Sequence, residues 1–169
     1  VYRQDLEPGG VFTRVSKGHI RIGTFEFFAS KGDYKSIEKL ADYCIHRFYP
    51  QLKQSQNKYL DLLKAIANKH SDLVAKWMSL GFIHGVLNTD NISICGETID
   101  YGPCAFMDNF ERSKVFSSID TQARYSYSNQ SNIMKWNLSR LASCLIPLID
   151  SDENKAIAIL EESINSYLD

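Results

Sequence analysis

Apolar and polar positions recur with two different periods along this chain, and the changes of period mark its elements. Ile37, Leu40, Ala41, Cys44, Ile45 and Phe48 fall at i, i+3 and i+4, the stripe of a helix that buries one face. Asp33 or Ser36 can cap its start and Pro50 closes it. A polar linker over 53–58 leads to a longer helix over about 59–80, with Leu60, Leu63, Ala67, Val74 and Trp77 on its buried side and Gly81 at its end. At ~1.5 Å per residue it would run roughly 30 Å. Two more helices are expected. One spans 133–146, with Met134, Leu138, Leu141 and Leu145 on one face and an end near Pro147. The other spans 151–168 and is expected to dock on a region outside this chain. Strand-like alternation is confined to short pieces. Residues 11–15 suit a strand, and 19–28 fit a strand or a helix equally. Ile92-Ser93-Ile94 and Thr98-Ile99 flank the turn Cys95-Gly96-Glu97 as a hairpin. Residues 104–128 keep no period.

Composition narrows the function classes. The chain has 169 residues, enough for one core, with 44% hydrophobic and 23% charged residues. A net charge of −1 gives no electrostatic reason to expect nucleic acid or an anionic membrane, and no apolar run approaches the ~20 residues of a membrane span. Cys44, Cys95, Cys104 and Cys144 form no C-x-x-C pair, so reduced thiols are expected rather than a zinc or redox site. The chain starts at Val1 without a targeting pattern.

The chemistry concentrates in 84–103, HGVLNTDNISICGETIDYGP. The hairpin would set Asn91 and Asp100 at neighbouring strand ends. An amide oxygen and a carboxylate there are hard ligands of the kind Mg²⁺ accepts, with phosphates and water completing its octahedron. Protein kinases carry H-R-D-x-x-x-x-N followed by D-F-G, with an Asp base and metal-binding Asn and Asp. Here His84 and Asn91 keep the seven-residue spacing and Asp100-Tyr101-Gly102 stands in for D-F-G, but the base position is Val86. The acidic residue lies at Asp90 instead. His84 reads as a loop brace rather than a catalyst.

This stretch resembles the signature of the selenoprotein O family, pseudokinases that act as protein adenylyltransferases. Thr13-Arg14-Val15, His19-Ile20-Arg21 and Gly23-Thr24-Phe25-Glu26 resemble the same family's nucleotide-contacting segment. So do Arg124-Tyr125-Ser126-Tyr127, Asn129-Gln130, Trp136-Asn137-Leu138 and Arg140-Leu141-Ala142. From spacing alone Arg14 and Arg21 read as surface arginines in ion pairs, and Asp90 as a residue accepting N–H groups within its own loop. The resemblance implies that Arg14, Arg21 and Asp100 bind ATP, that Asn91 and Asp100 hold Mg²⁺ or Mn²⁺, and that Asp90 is the catalytic base.

It also implies an α+β, mostly helical fold: a protein-kinase-like C-lobe fragment with a short catalytic-loop β-hairpin. Residues 1–169 would form a single partial domain, with the nucleotide-binding lobe and a C-terminal extension lying outside it and this piece inactive alone. The implied reaction moves AMP from ATP to Ser, Thr or Tyr hydroxyls of protein substrates, without nucleic acid or membrane partners. The implied location is the cytoplasm of a bacterium, or the mitochondrion if the source is eukaryotic. Two other readings stay open: a non-catalytic pseudokinase scaffold, and a kinase transferring the γ-phosphoryl group. Val86 counts against the kinase, and the Asn91–Asp100 pair against the scaffold.

Overall fold

A computed structural model describes residues 9–166. Five α-helices dominate it: α1 Ile22–Ala29, α2 Tyr34–Phe48, α3 Lys58–Ser79, α4 Gln130–Ile149 and α5 Glu153–Asn165. The only named strands among the described residues are β1 Phe82–Ile83 and β2 Ala105–Phe106, paired antiparallel with Phe82 opposite Phe106. The fold is therefore α+β and mostly helical.

Local chemistry accounts for the helix boundaries. Asp33 caps α2 through Ser36 N–H at 3.1 Å, satisfying one of the amides a helix start leaves unpaired. Gly81, at φ 67°, takes the left-handed conformation just past α3. The buried face of α3 is broader than the sequence stripe. It includes Leu62, Ile66 and His70 beside Leu63, Ala67, Val74 and Trp77, while Leu60 is only partly buried. The ambiguous 19–28 stretch resolves as helix from Ile22, because Ile22 and Phe25 are fully buried one turn apart.

Four expectations are corrected. Residues 11–15 form no strand: Val11, Phe12 and Val15 are 86–100% exposed, and alternation alone supplies no neighbouring strand to pair with. The hairpin after Asn91 is reduced to a single bridge, Ile92 to Thr98. Its first arm is engaged on the other side, where Ser93 bridges Arg21, Ile22 N–H donates to Ile92 O, and Ile94 N–H donates to Ile20 O. Helix α4 runs past Pro147 to Ile149. A proline in the last turn loses one backbone bond but can leave the helical path intact where no further turn must follow. Finally, α5 docks on this chain, against α4 and α3, with Ala156, Leu160 and Ile164 buried.

The core runs through α1 to α5 and takes in Leu87, Ile92 and Ile94 of the loop region. Around that loop, polar side chains on the helices bond its backbone. Tyr49 Oη donates to Ile94 O at 2.7 Å. His70 Nε2 bonds Ser93 O at 3.0 Å, which makes Nε2 the protonated nitrogen. Gln130 donates to Phe82 O and accepts from His84 N–H, at 2.9 and 3.0 Å. Asn137 donates to Leu87 O at 2.9 Å. Ser93 O also accepts from Gly96 N–H, and leaving a buried carbonyl or amide without a partner would cost ~1–3 kcal/mol.

Candidate active site

Between β1 and β2 the chain makes two close turns that present the acidic and amide groups. Gly85, at φ 82°, lies against Pro103, so near that a Cβ would sit 3.0 Å from Pro103 Cγ. This close approach requires glycine. Asn88 Oδ1 then accepts from Asp90 N–H at 3.2 Å and starts the 3₁₀ turn Thr89–Asn91, an Asx turn of the kind that favours Asn. His84 is fully buried. Its Nε2 donates to Ile99 O at 2.7 Å and its ring packs 5.5 Å from Trp77. Burial pushes its pKa below the usual imidazole range. It braces both arms of the loop as a neutral group.

Asn91 Nδ2 donates to Val86 O at 2.9 Å. That bond orients the amide, and Oδ1 has no donor among the described residues. Asp100 has φ 60°, a conformation that non-glycine residues adopt rarely and Asp and Asn most readily. Its Oδ1 accepts from Arg14 Nη2 at 2.7 Å, and Arg21 Nη1 stands 3.4 Å from Oδ2 without the alignment of a hydrogen bond. Oδ2 is thus a buried oxygen with no hydrogen-bond donor. Arg14, Val86, Asn91 and Asp100 line one cleft of 410 Å³, closed on other sides by Phe12 and Tyr101.

Arg14 and Arg21 therefore meet at Asp100, as ion-pair partners from a segment far away in sequence. The segment is tied down beside them: Ser16 Oγ and Lys17 N–H donate to Glu97 at 2.8 and 3.0 Å, and the Ser16 bond first, then the Lys17 amide, holds the Glu97 carboxyl below its usual range. Asp90 is placed differently. It is exposed, and it lines a second cleft with Gly23, Glu26 and Arg140 rather than the cleft of Asn91 and Asp100. Its backbone oxygen accepts from Arg21 Nη1 at 2.7 Å.

The donor set fits Mg²⁺. Among the described residues no group of three or more His, Cys, Asp and Glu side chains could hold a metal, which leaves out an all-protein cage. Asn91 Oδ1 and the orphaned Asp100 Oδ2 are two hard oxygens, the number Mg²⁺ takes when substrate phosphates supply the rest. Converging guanidiniums suit those phosphates.

The loop 104–128 folds back on the helices. Asp120 accepts from the amides of Arg124 and Tyr125, and Tyr127 Oη donates to Met78 O at 2.6 Å, a packed tyrosine with a satisfied hydroxyl. Arg124 lies over Trp136 at 4.7 Å, so Trp136 braces this loop. Arg140 instead pairs with Glu26 of α1 at 2.6 Å. All four cysteines are free thiols; burial pushes Cys44 up to about 12 and Cys144 to about 11, values that disfavour the reactive thiolate. Sequence reasoning singled out neither the Glu26–Arg140 pair nor the clamping roles of Tyr49, His70, Gln130 and Asn137. Gln130 and Asn137 carried one signal, polar side chains seven apart along a helix that is otherwise apolar on that face.

Comparison with known proteins gives matches over nearly the whole chain. A family model described as protein adenylyltransferase SelO matches residues 1–168. A protein nucleotidyltransferase YdiU of Rhizobium etli is 52% identical over 167 residues, 99% of this chain and 33% of that protein. One from Agrobacterium fabrum is 58% identical over 156 residues, 92% of this chain and 32% of that protein. One from Rhodopseudomonas palustris is 50% identical over all 169 residues and 34% of its own length. The chain thus spans about a third of the length of the curated relatives it matches. No helix among the described residues is long and apolar enough to cross a membrane.

Proposed function

The chain belongs to the protein adenylyltransferase SelO family, and from that premise we propose that the whole protein transfers AMP from ATP to hydroxyl side chains of proteins, working in the cytoplasm of a bacterium. The observation that carries this reading is the cleft that Arg14, Asn91 and Asp100 line together with a valine at position 86, Arg21 pairing with the same Asp100. Two guanidiniums and two metal-ligand oxygens grip phosphates. No carboxylate at position 86 aims an acceptor at the γ-phosphorus.

Asn91 and Asp100 would hold Mg²⁺, which when bound supplies positive charge against the phosphates and the leaving pyrophosphate. Arg14 and Arg21 leave Asp100 for the nucleotide and add to that charge, the kind of electrostatic stabilisation that dominates phosphoryl chemistry. Asp90 takes the proton of the incoming hydroxyl. The long helix α3 delivering the chain to His84, and the Asn and Asp carried on either arm of the following turn, support a kinase-like C-lobe as the framework. The competing scaffold reading draws on the ion pairs that fill the cleft, with Asp100 already neutralised by arginines.

The label decides between the readings. ATP carrying a radiolabel on the α-phosphorus should mark protein when incubated with the whole enzyme, and ATP labelled on the γ-phosphorus should not. Transfer of the γ-label would make it a kinase, and no transfer of either a scaffold. Arg14→Ala and Arg21→Ala should each weaken ATP binding by about tenfold or more, the worth of a charge-assisted bond, with little change in folding because both side chains are about one-third exposed. Unchanged affinity in both variants would remove the arginines from the nucleotide site.

A further inference from the structure

The candidate base faces away from the phosphate cleft. The Asp90 carboxylate stands so close over α1 that a Cβ on Gly23 would come within 2.1 Å of its Oδ1. From there it opens into a second cleft of 590 Å³ between α1 and α4, lined also by Glu26, Phe27, Thr89 and Arg140. The dipeptide Asp90–Asn91 is the wall between the two clefts, with one residue turned to each side.

In the second cleft Arg140 is incompletely used. Its Nε donates to Glu26 at 2.6 Å, and its side chain is 49% exposed. Its two terminal nitrogens bond nothing among the described residues, so four of the five N–H donors of the guanidinium remain for a ligand. Glu26 fixes the fork from behind. Phe27, 53% exposed, borders the same cleft with Lys31 Nζ 3.8 Å over its ring. A base and a fixed fork of donors on the wall shared with the phosphate cleft suit an acceptor polypeptide, whose hydroxyl would meet the base and whose neighbouring side chain would meet the fork.

We propose that this cleft receives the acceptor polypeptide and that Arg140 reads a carboxylate side chain next to the acceptor hydroxyl, an inference that rests on the adenylyl-transfer reading above. The hydroxyl proton passes to the Asp90 carboxylate and the acceptor oxygen forms a bond to the α-phosphorus. The bond from that phosphorus to the bridging oxygen breaks, and pyrophosphate leaves with the electron pair through the other cleft. Arg140 is a specificity residue here, since it meets the acceptor chain and not the reacting atoms.

The test uses the whole protein, ATP, and two sets of synthetic peptides presenting Ser, Thr and Tyr, identical except for Glu or Lys beside the hydroxyl. The Glu set should have the lower KM. Arg140→Ala should raise the KM of the Glu set by about tenfold, in line with the loss of a charged hydrogen bond, and leave the KM of the Lys set in place. Arg140→Glu should invert the preference. Equal KM for the two sets in the wild type, an equal loss for both in the variants (the pattern of a residue that only braces α1), or no transfer to either set by a protein that binds ATP would each overturn the proposal. ATP binding, followed separately with a fluorescent nucleotide, keeps the readings apart: its absence in the wild type would sink the nucleotide site itself.

Discussion

Asp100→Asn should reduce adenylyl transfer by the whole protein at least about 100-fold, while ATP binding in the presence of a chelator stays level or tightens. The two expectations come from the same carboxylate. Losing a partner one shell further out typically costs about 10–100-fold, and a ligand itself should cost no less. Asparagine is the informative replacement because Asp100 has φ 60°, which Asn tolerates and Ala would not. Without the charge, Arg14 and Arg21 lose their 2.7 and 3.4 Å partner and become free to meet phosphate. Asp90→Ala should behave differently, slowing transfer with ATP affinity intact in Mg²⁺, because its side chain lines the other cleft. If Asp100→Asn transferred at the wild-type rate, Asp100 would not be a metal ligand in the reaction.

Lowering the pH from about 6.5 towards 4 should remove about 3 kcal/mol of stability through His70 alone. Burial is the main cause that brings this imidazole from 6.5 to about 4. Its Nε2–H is already committed to Ser93 O, and a proton on the buried Nδ1 would find no partner. In the window between the two values the unfolded chain binds a proton that the folded chain refuses, so stability rises with pH across it and is complete above about 6.5. A difference of about 2.5 pKa units corresponds to about 3 kcal/mol, a large part of the ~5–15 kcal/mol a domain usually has. His84 is shifted in the same direction by burial and adds to the slope. Denaturant unfolding followed by tryptophan fluorescence at several pH values will measure it. His70→Gln, which keeps a donor for Ser93 O and does not titrate, should flatten the dependence; an unchanged slope would remove His70 as the source.

Helices α2 and α3 were legible because their signals are local: an Asp cap, an apolar stripe, a closing glycine or proline. His84 as a brace was legible from its spacing to Asn91. The alternation at 11–15 misled because a strand is defined by a neighbour, and the sequence holds no information local to those residues about whether one exists. Pro147 misled in the opposite sense, since a breaker in a last turn has little left to break. The apolar face of α5 was assigned to an outside partner when α4 and α3 were available to it. At the candidate site, residue types pointed to Asn91 and Asp100 and the family resemblance to Arg14 and Arg21, and neither signal gave the pairing among them. Opposite charges brought into one cleft pair with each other, so the arginines that spacing alone placed in ion pairs are in one with Asp100. Asp90 and Asn91 are adjacent in sequence and turned to different clefts, a distinction set by the Asx turn at Asn88 rather than by composition.

The clamps on the loop also set a schedule for its assembly. Gln130 lies 46 residues beyond His84, and Asn137 lies 50 beyond Leu87. During synthesis Asn91 and Asp100 leave the ribosome well before the helix that satisfies their loop. At ~5–20 residues per second the nascent loop waits on the order of seconds with the Phe82 and Leu87 carbonyls and the His84 amide unclaimed. A nascent chain that has not yet reached α4 would therefore carry Asn91 and Asp100 on a loop clamped only from upstream, by Tyr49 and His70. Protection of this loop from proteolysis should therefore emerge late in translation, as a step, when α4 docks.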